Sequence, residues 1–138
     1  LPKNITGIND EIFSGCTRLM SVTIPESVTS IKAGAFYGCT GLTSITIPKS
    51  VRSIGEKAFY GCTDLTSVSI PQGVRSIGER AFEYCNGLRS VTLPKSVRSL
   101  GNNVFNNTSD QLIIYVSPKH LERFRSMPAL KGKKLEKM

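Results

Sequence analysis

The chain has 138 residues, 39% of them hydrophobic, and carries a formal charge of +8. A single compact core would suit that length, but a fixed internal period overrides it, and no apolar run is long enough to cross a bilayer as a helix. The charge is uneven: residues 1–87 hold eight Lys/Arg against seven Asp/Glu, whereas residues 88–138 hold ten against three, so the excess lies in the last repeat and the tail.

The chain opens inside a repeat. Residues 1–18 fit a 23-residue frame from its sixth position onward, with Leu1-Pro2 in the place of Ile47-Pro48, so the natural protein is expected to continue upstream. Residues 19–41 are a divergent copy. Close copies follow at 42–64 (LTSITIPKSVRSIGEKAFYGCTD), 65–87 (LTSVSIPQGVRSIGERAFEYCNG) and 88–110 (LRSVTLPKSVRSLGNNVFNNTSD). A sustained period of this length is the signature of a solenoid, in which each unit buries its apolar edge only against its neighbours.

Within the copy at 42–64, Leu42, Ile45, Ile47, Val51, Ile54, Ala58, Phe59 and Cys62 are the apolar positions. Ser44-Ile45-Thr46-Ile47 alternates with period two and β-branched residues, which predicts a short strand with one buried face. Pro48, lacking an amide proton, ends it. Val51 and Ile54 predict a second extended segment on another side of the coil, and Gly55 is expected to free the backbone to bend. Glu56–Tyr60 is too short for an independent helix and predicts one helical or 3₁₀ turn. Stacked coils would pair their strands in parallel at about 4.8 Å.

After Asp110 the frame runs into a strand at Leu112–Val116. Ser117-Pro118 then predicts a helix start, a hydroxyl cap followed by proline at the first helical position. Leu121, Phe124 and Met127 recur at threes, so this helix is expected to shield the open end of the stack until Pro128 stops it. Residues 131–138 read as a charged tail with Leu135 turned back, reaching the natural C-terminus.

The recurring pattern L-x-S-I/V-S/T-I/L-P-x-x-V-x-S-I/L, followed three residues later by A/V-F-x-x-C, resembles the leucine-rich repeat of the treponemal or BspA-like type over residues 1–116. Pro25, Pro48, Pro71 and Pro94 stand where ordinary leucine-rich repeats carry an Asn ladder. Val104 and Thr108 depart from the Ala and Cys of the pattern, as suits a last repeat beside a cap. The resemblance implies a right-handed α/β solenoid, mostly β, with short parallel strands and a C-terminal cap helix. It also implies surface proteins of bacteria and some protists that bind proteins and adhere.

Stacking turns single residues into columns. Cys16, Cys39, Cys62 and Cys85 fall one repeat apart. Parallel Cβ vectors would leave their Cβ atoms about 5 Å apart, too far for a disulfide's roughly 3.5–4.5 Å, and a line of sulfurs cannot converge tetrahedrally on zinc; a buried thiol ladder is the expectation. Ser44, Thr46, Ser67, Ser69, Ser90 and Thr92, preceded by Ser21 and Thr23, form two hydroxyl columns on the outer face of the strands, the expected partner-binding surface. The same hydroxyls would also serve solubility alone. A third column, Arg52, Arg75 and Arg98 with Lys49 and Lys95 nearby, has the geometry to collect anions, or is a solvated edge copied with the repeat.

Chemistry finds little support. His120 lies on the cap helix with no Cys, Ser or acid at a telling spacing, Glu56 and Glu79 each adjoin a cation, and no glycine-rich phosphate loop occurs. Asn4-Ile5-Thr6, Asn106-Asn107-Thr108 and Asn107-Thr108-Ser109 match glycosylation acceptors. The sequence therefore predicts a repeat domain at 1–116 and a strand, cap helix and basic tail at 111–138. It predicts no enzyme, metal or cofactor. The expected role is an extracellular or cell-surface module for host, neighbouring-cell or matrix proteins. Anionic glycans are an alternative partner class, and a structural spacer in a larger surface protein an alternative role. Nucleic acid and membrane insertion are not expected. The chain is read as a monomer or as associating end to end at its exposed first repeat.

Overall fold

A computed structural model describes residues 1–138. In chain order it contains β1 (Gly7–Ile8), β2 (Ser30–Ile31), β3 (Ser53–Ile54), β4 (Ser67–Ser69), β5 (Ser76–Ile77), β6 (Ser90–Leu93), β7 (Ser99–Leu100), β8 (Ile113–Val116), α1 (Leu121–Arg125) and β9 (Lys134–Lys137). The strands form two parallel sheets, ordered β1-β2-β3-β5-β7 and β4-β6-β8-β9. Each step between coils is one repeat: Ile31 lies opposite Ile54, Ile54 opposite Ile77, and Val68 opposite Val91. The period in the sequence is therefore the register of a leucine-rich-repeat solenoid of short parallel strands.

Only 15 of 72 backbone hydrogen bonds lie within strands and helices, so the turns carry most of the backbone pairing. The segment predicted as one helical turn shows how. No helix forms at Glu56–Tyr60. Ala58 and Tyr60 donate within their own coil to Gly55 and Lys57 carbonyls at 3.2 and 3.1 Å, whereas Lys57, Phe59 and Gly61 donate to Glu79, Ala81 and Glu83 of the next coil at 2.9, 2.8 and 2.9 Å. A helix would keep its amides to itself; alternation joins the coils. It requires a left-handed residue at two places per coil, seen at Lys57 (φ 55°) and Gly61 (φ 73°) and again at Arg80 (φ 59°) and Tyr84 (φ 62°).

Gly55 also has a different reason from the expected one. Its φ is not positive, but a Cβ there would lie 2.6 Å from the Ala33 amide nitrogen, and at Gly78 and Gly101 the same atom would meet the preceding coil at 2.5 and 2.2 Å. Glycine is required because two backbones touch.

The core is one cluster of 34 buried apolar side chains running along the stack. Its spine is the column Phe13, Phe36, Phe59, Phe82 and Phe105, with ring centroids 5.1 to 5.7 Å apart and planes within 15°. At the C-terminal end Leu121, Phe124 and Leu130 are buried against the last coil. A 3₁₀ turn at Pro118–His120 precedes the five residues of α1, and the Ser117 hydroxyl caps neither. Residues 134–137 are no tail: β9 pairs in parallel with β8, Leu135 opposite Ile114, and extends the sheet by one strand. Partial burial of the single apolar side chain Leu135 and a backbone ladder accomplish this, with Met138 N–H closing on the Val116 carbonyl at 2.9 Å.

Candidate binding surface

The two hydroxyl columns exist where β4 and β6 pair, Ser67 opposite Ser90 and Ser69 opposite Thr92. They do not run unbroken into the earlier coils. Ser44–Ile47, predicted as a strand, makes only a single bridge, Thr46 to Thr23, and no backbone hydrogen bond joins residues 42–48 to residues 65–71. The coils there are held on their other sides, for example by Arg75 N–H to Arg52 O at 2.8 Å and Gly78 N–H to Ile54 O at 2.8 Å. An open seam results, and Ile45 beside it is only half-buried whereas Val68 in the next coil is buried. A groove of about 420 Å³ follows the seam, lined by Thr46, Pro48 and Lys49 on one side and Ser69, Pro71 and Gln72 on the other.

Ser44, Thr46, Ser67 and Ser69 are exposed; Ser90 and Thr92 are half-buried. None of these six hydroxyls is hydrogen-bonded to the protein. Some hydroxyls elsewhere knit coils together: Ser50 donates to the Val28 carbonyl, Ser96 to Val74 O at 2.8 Å and Thr29 to Thr6 O at 3.1 Å, while Ser30, Ser53, Ser76 and Ser99 of the other sheet pair in register through their backbones. Toward the C-terminus the columns change character. Ser90 is followed by Ile113 and Lys134, and Thr92 by Tyr115 and Glu136, with Lys134 and Glu136 paired at 3.8 Å. Ile113 and Tyr115 belong to the strand expected at 112–116; nothing in the sequence placed Lys134 and Glu136 beside them.

The basic column is in register, since Arg98 N–H donates to Arg75 O at 2.9 Å, but its members differ. Arg52 Nη1 donates to the Lys49 and Val51 carbonyls at 2.9 and 3.4 Å. Arg75 and Arg98 are exposed, make no ion pair and share a depression with Ser96. Lys49 lies in the seam groove, and the Lys95 carbonyl accepts from Arg123 at 2.7 Å. Of the cations beside Glu56 and Glu79, Arg80 pairs with Glu79 at 3.7 Å, while Glu56 and Lys57 form no ion pair. Arg80 also approaches Glu83 at 3.8 Å. Glu83 is a buried carboxylate in the column of Tyr37 and Tyr60, displaced there because Tyr84 occupies the glycine column.

Cys39, Cys62 and Cys85 are buried free thiols, and Cys16 is exposed. Each buried thiol donates to a phenylalanine carbonyl of the preceding coil, Cys39 to Phe13 at 3.1 Å, Cys62 to Phe36 at 3.3 Å and Cys85 to Phe59 at 3.1 Å. Loss of solvent pushes Cys39 up to about 11 and Cys85 up to about 12, and raises Cys62 as well. These are inert structural groups. His120 is half-buried beside α1, and no group of three His, Cys, Asp or Glu side chains converges on a point.

The stack, its proline-terminated strands and its Ala-Phe-x-x-Cys turns coincide with a sequence match to the BspA type leucine rich repeat region, in 6 copies across residues 1–112. The chain belongs to this family. Among solved BspA-type and related structures, a T. pallidum leucine-rich repeat protein superposes with a TM-score of 0.80 at 33% identity, over 83% of this chain and 56% of that one. A Bacteroides ovatus leucine-rich repeat protein superposes at 0.73 with 28% identity, over 100% of this chain and 41% of the other. The pneumococcal vaccine antigen PcpA shares the fold, with a TM-score of 0.73 at 19% identity over 99% of this chain and 38% of its own. The chain thus spans about half or less of the length of these relatives. No curated protein matches it. No helix is long and apolar enough to cross a membrane.

Proposed function

We propose that this BspA-type solenoid is an extracellular or cell-surface binding module that holds proteins of a host, neighbouring cell or matrix through its hydroxyl face, without a catalytic step. The observation that carries this reading is the open seam at Thr46 and Ser69, flanked by hydroxyls without a partner in the protein. Ser27, Thr29, Ser50 and Ser96 are spent on carbonyls of neighbouring coils, whereas Ser44, Thr46, Ser67, Ser69, Ser90 and Thr92 leave their hydrogen-bonding capacity to a partner. The seam between Thr46 and Ser69 adds concavity, proline surface and one charge of each sign, Lys49 and Glu26, a mixture suited to a protein partner. Adhesion by surface proteins of this family agrees with it.

The test is attachment of the chain to cells and immobilised matrix proteins, with Thr46→Lys and Ser69→Lys combined. Binding through this face survives moderate salt and is lost in the double variant, because two ammonium groups fill the groove from both walls. Unchanged attachment would leave the chain as a spacer that positions other parts of a surface protein.

A further inference from the structure

Four arginines lie along one edge of the stack, and two of them are held. In two coils the valine carbonyl after the proline turn is covered by a serine of the next coil: Ser50 Oγ covers Val28 O and Ser96 Oγ covers Val74 O. Gly73 interrupts the serine column. Val51 O is left without a hydroxyl, and Arg52 folds into the vacated space to donate to it and to Lys49 O. The fit is close enough that a Cβ on Gly73 would sit 2.5 Å from Arg52 Nη1. At the other end no further coil covers Val97 O, and Arg123 reaches back from α1 to donate to it at 2.8 Å and to Lys95 O at 2.7 Å.

Arg75 and Arg98 stand between these two. The valine carbonyls beside them, Val74 O and Val97 O, are already covered by Ser96 and Arg123, and neither guanidinium is hydrogen-bonded to the protein. Neither is paired with a carboxylate; the four ion pairs of the chain lie elsewhere. The two share a depression of about 360 Å³ floored by Ser96, whose hydroxyl is itself satisfied by Val74 O and the Gly73 amide at 3.1 Å. Arg98 is close enough to Arg123 that its charge, after burial, lowers the Arg123 pKa. The edge is thus a concentration of positive charge with two complete sets of donors facing solvent.

The geometry points to Arg75 and Arg98 as a paired clamp for a tetrahedral oxyanion, carried as a sulfate or phosphate ester on a glycan. Adjacent coils place the two side chains about 4.8 Å apart at their origins, and two planar forks at that separation can together engage the three terminal oxygens of one such ester, sharing one of them. The open depression suits a pendant group on a polymer rather than an enclosed small molecule. This site lies on a different edge from the hydroxyl face and does not rest on the adhesion reading.

The experiment measures binding of a sulfated oligosaccharide, its desulfated counterpart and a phosphorylated oligosaccharide by calorimetry at two salt concentrations. Binding of at least one esterified ligand is expected, with no binding of the desulfated one, and the arm that binds names the carrier. Arg75→Ser with Arg98→Ser weakens it by roughly tenfold or more, and Arg75→Lys with Arg98→Lys also weakens it, because charge remains but the fork is lost. Arg52→Ser, whose guanidinium is tied to its own turn, leaves affinity within about twofold. Melting temperatures of the exposed-site variants confirm that each is folded. The clamp is refuted if neither ester binds, if the desulfated ligand binds equally, if the lysine pair keeps full affinity, or if Arg52→Ser costs as much as the double serine variant. Loss of cell attachment on changing Thr46 and Ser69 bears on the other face alone.

Discussion

Phe59 tests the stacking argument most directly. Its ring is fully buried, with Phe36 at 5.2 Å and 6° on one side and Phe82 at 5.1 Å and 3° on the other. Phe59→Ala removes a whole core ring, about 3–5 kcal/mol, and with it two stacked aromatic contacts of about 0.5–1.5 kcal/mol each. The cavity lies between two coils that cannot close on it, because their backbones are already in ladder contact at the Phe59 amide (2.8 Å to Ala81 O). A loss of about 5 kcal/mol is expected. Phe13 is half-buried and has one stacked neighbour, Phe36 at 5.3 Å, so Phe13→Ala should cost about 2 kcal/mol. Urea unfolding followed by far-UV circular dichroism measures both, and Phe59→Leu, which keeps most of the volume, should recover more than half of the loss. In a stack coupled only between neighbours the central defect should also broaden or split the transition. A Phe59→Ala loss below about 1 kcal/mol, or one no larger than that of Phe13→Ala, would refute the spine.

Gly78→Ala places a methyl 2.5 Å from the Glu56 amide nitrogen and should cost about 3 kcal/mol or more by urea unfolding. Glu83→Tyr combined with Tyr84→Gly restores the order of residues seen at Tyr60 and Gly61, removing a buried carboxylate and a left-handed tyrosine; a gain of about 1 kcal/mol is expected, and a loss would show that the displaced pair is favourable. A thiol reagent near neutral pH should modify Cys16 alone in the folded chain and all four cysteines in denaturant. Because Cys39 and Cys85 sit at about 11 and about 12 against an ordinary 9.0, the unfolded chain deprotonates first. Their contribution is whole below pH 9 and declines through about pH 11 to 12. Replacing Cys39, Cys62 and Cys85 by Ala should flatten that alkaline limb of a stability–pH profile.

The columns were legible because a repeat makes every residue its own neighbour's neighbour. Of the eight apolar positions assigned from period alone, Leu42, Ile47, Val51, Ile54, Ala58, Phe59 and Cys62 are buried, and Ile45 at the open seam is half-buried. The hydroxyl columns were legible for the same reason, and their pairing at β4 and β6 follows the repeat. Single departures from the repeat were harder to read. Gly73 in a serine column looks like a neutral change, yet it draws Arg52 out of the basic column. Lys134–Lys137 has one apolar residue and no strand signature, yet it pairs with β8.

The sequence by itself determined the coil, its register, its core and the identity of each column, since these depend on interactions repeated at one spacing along one axis. Only the tertiary structure decided where the hydroxyl face opens at the Thr46–Ser69 seam, why Gly55, Gly78 and Gly101 cannot carry a side chain, and which arginines remain free. Those outcomes turn on ångström-scale distances between coils and on which carbonyls a neighbouring coil has already covered. Such distances and contacts join residues more than twenty positions apart, and no local pattern encodes them.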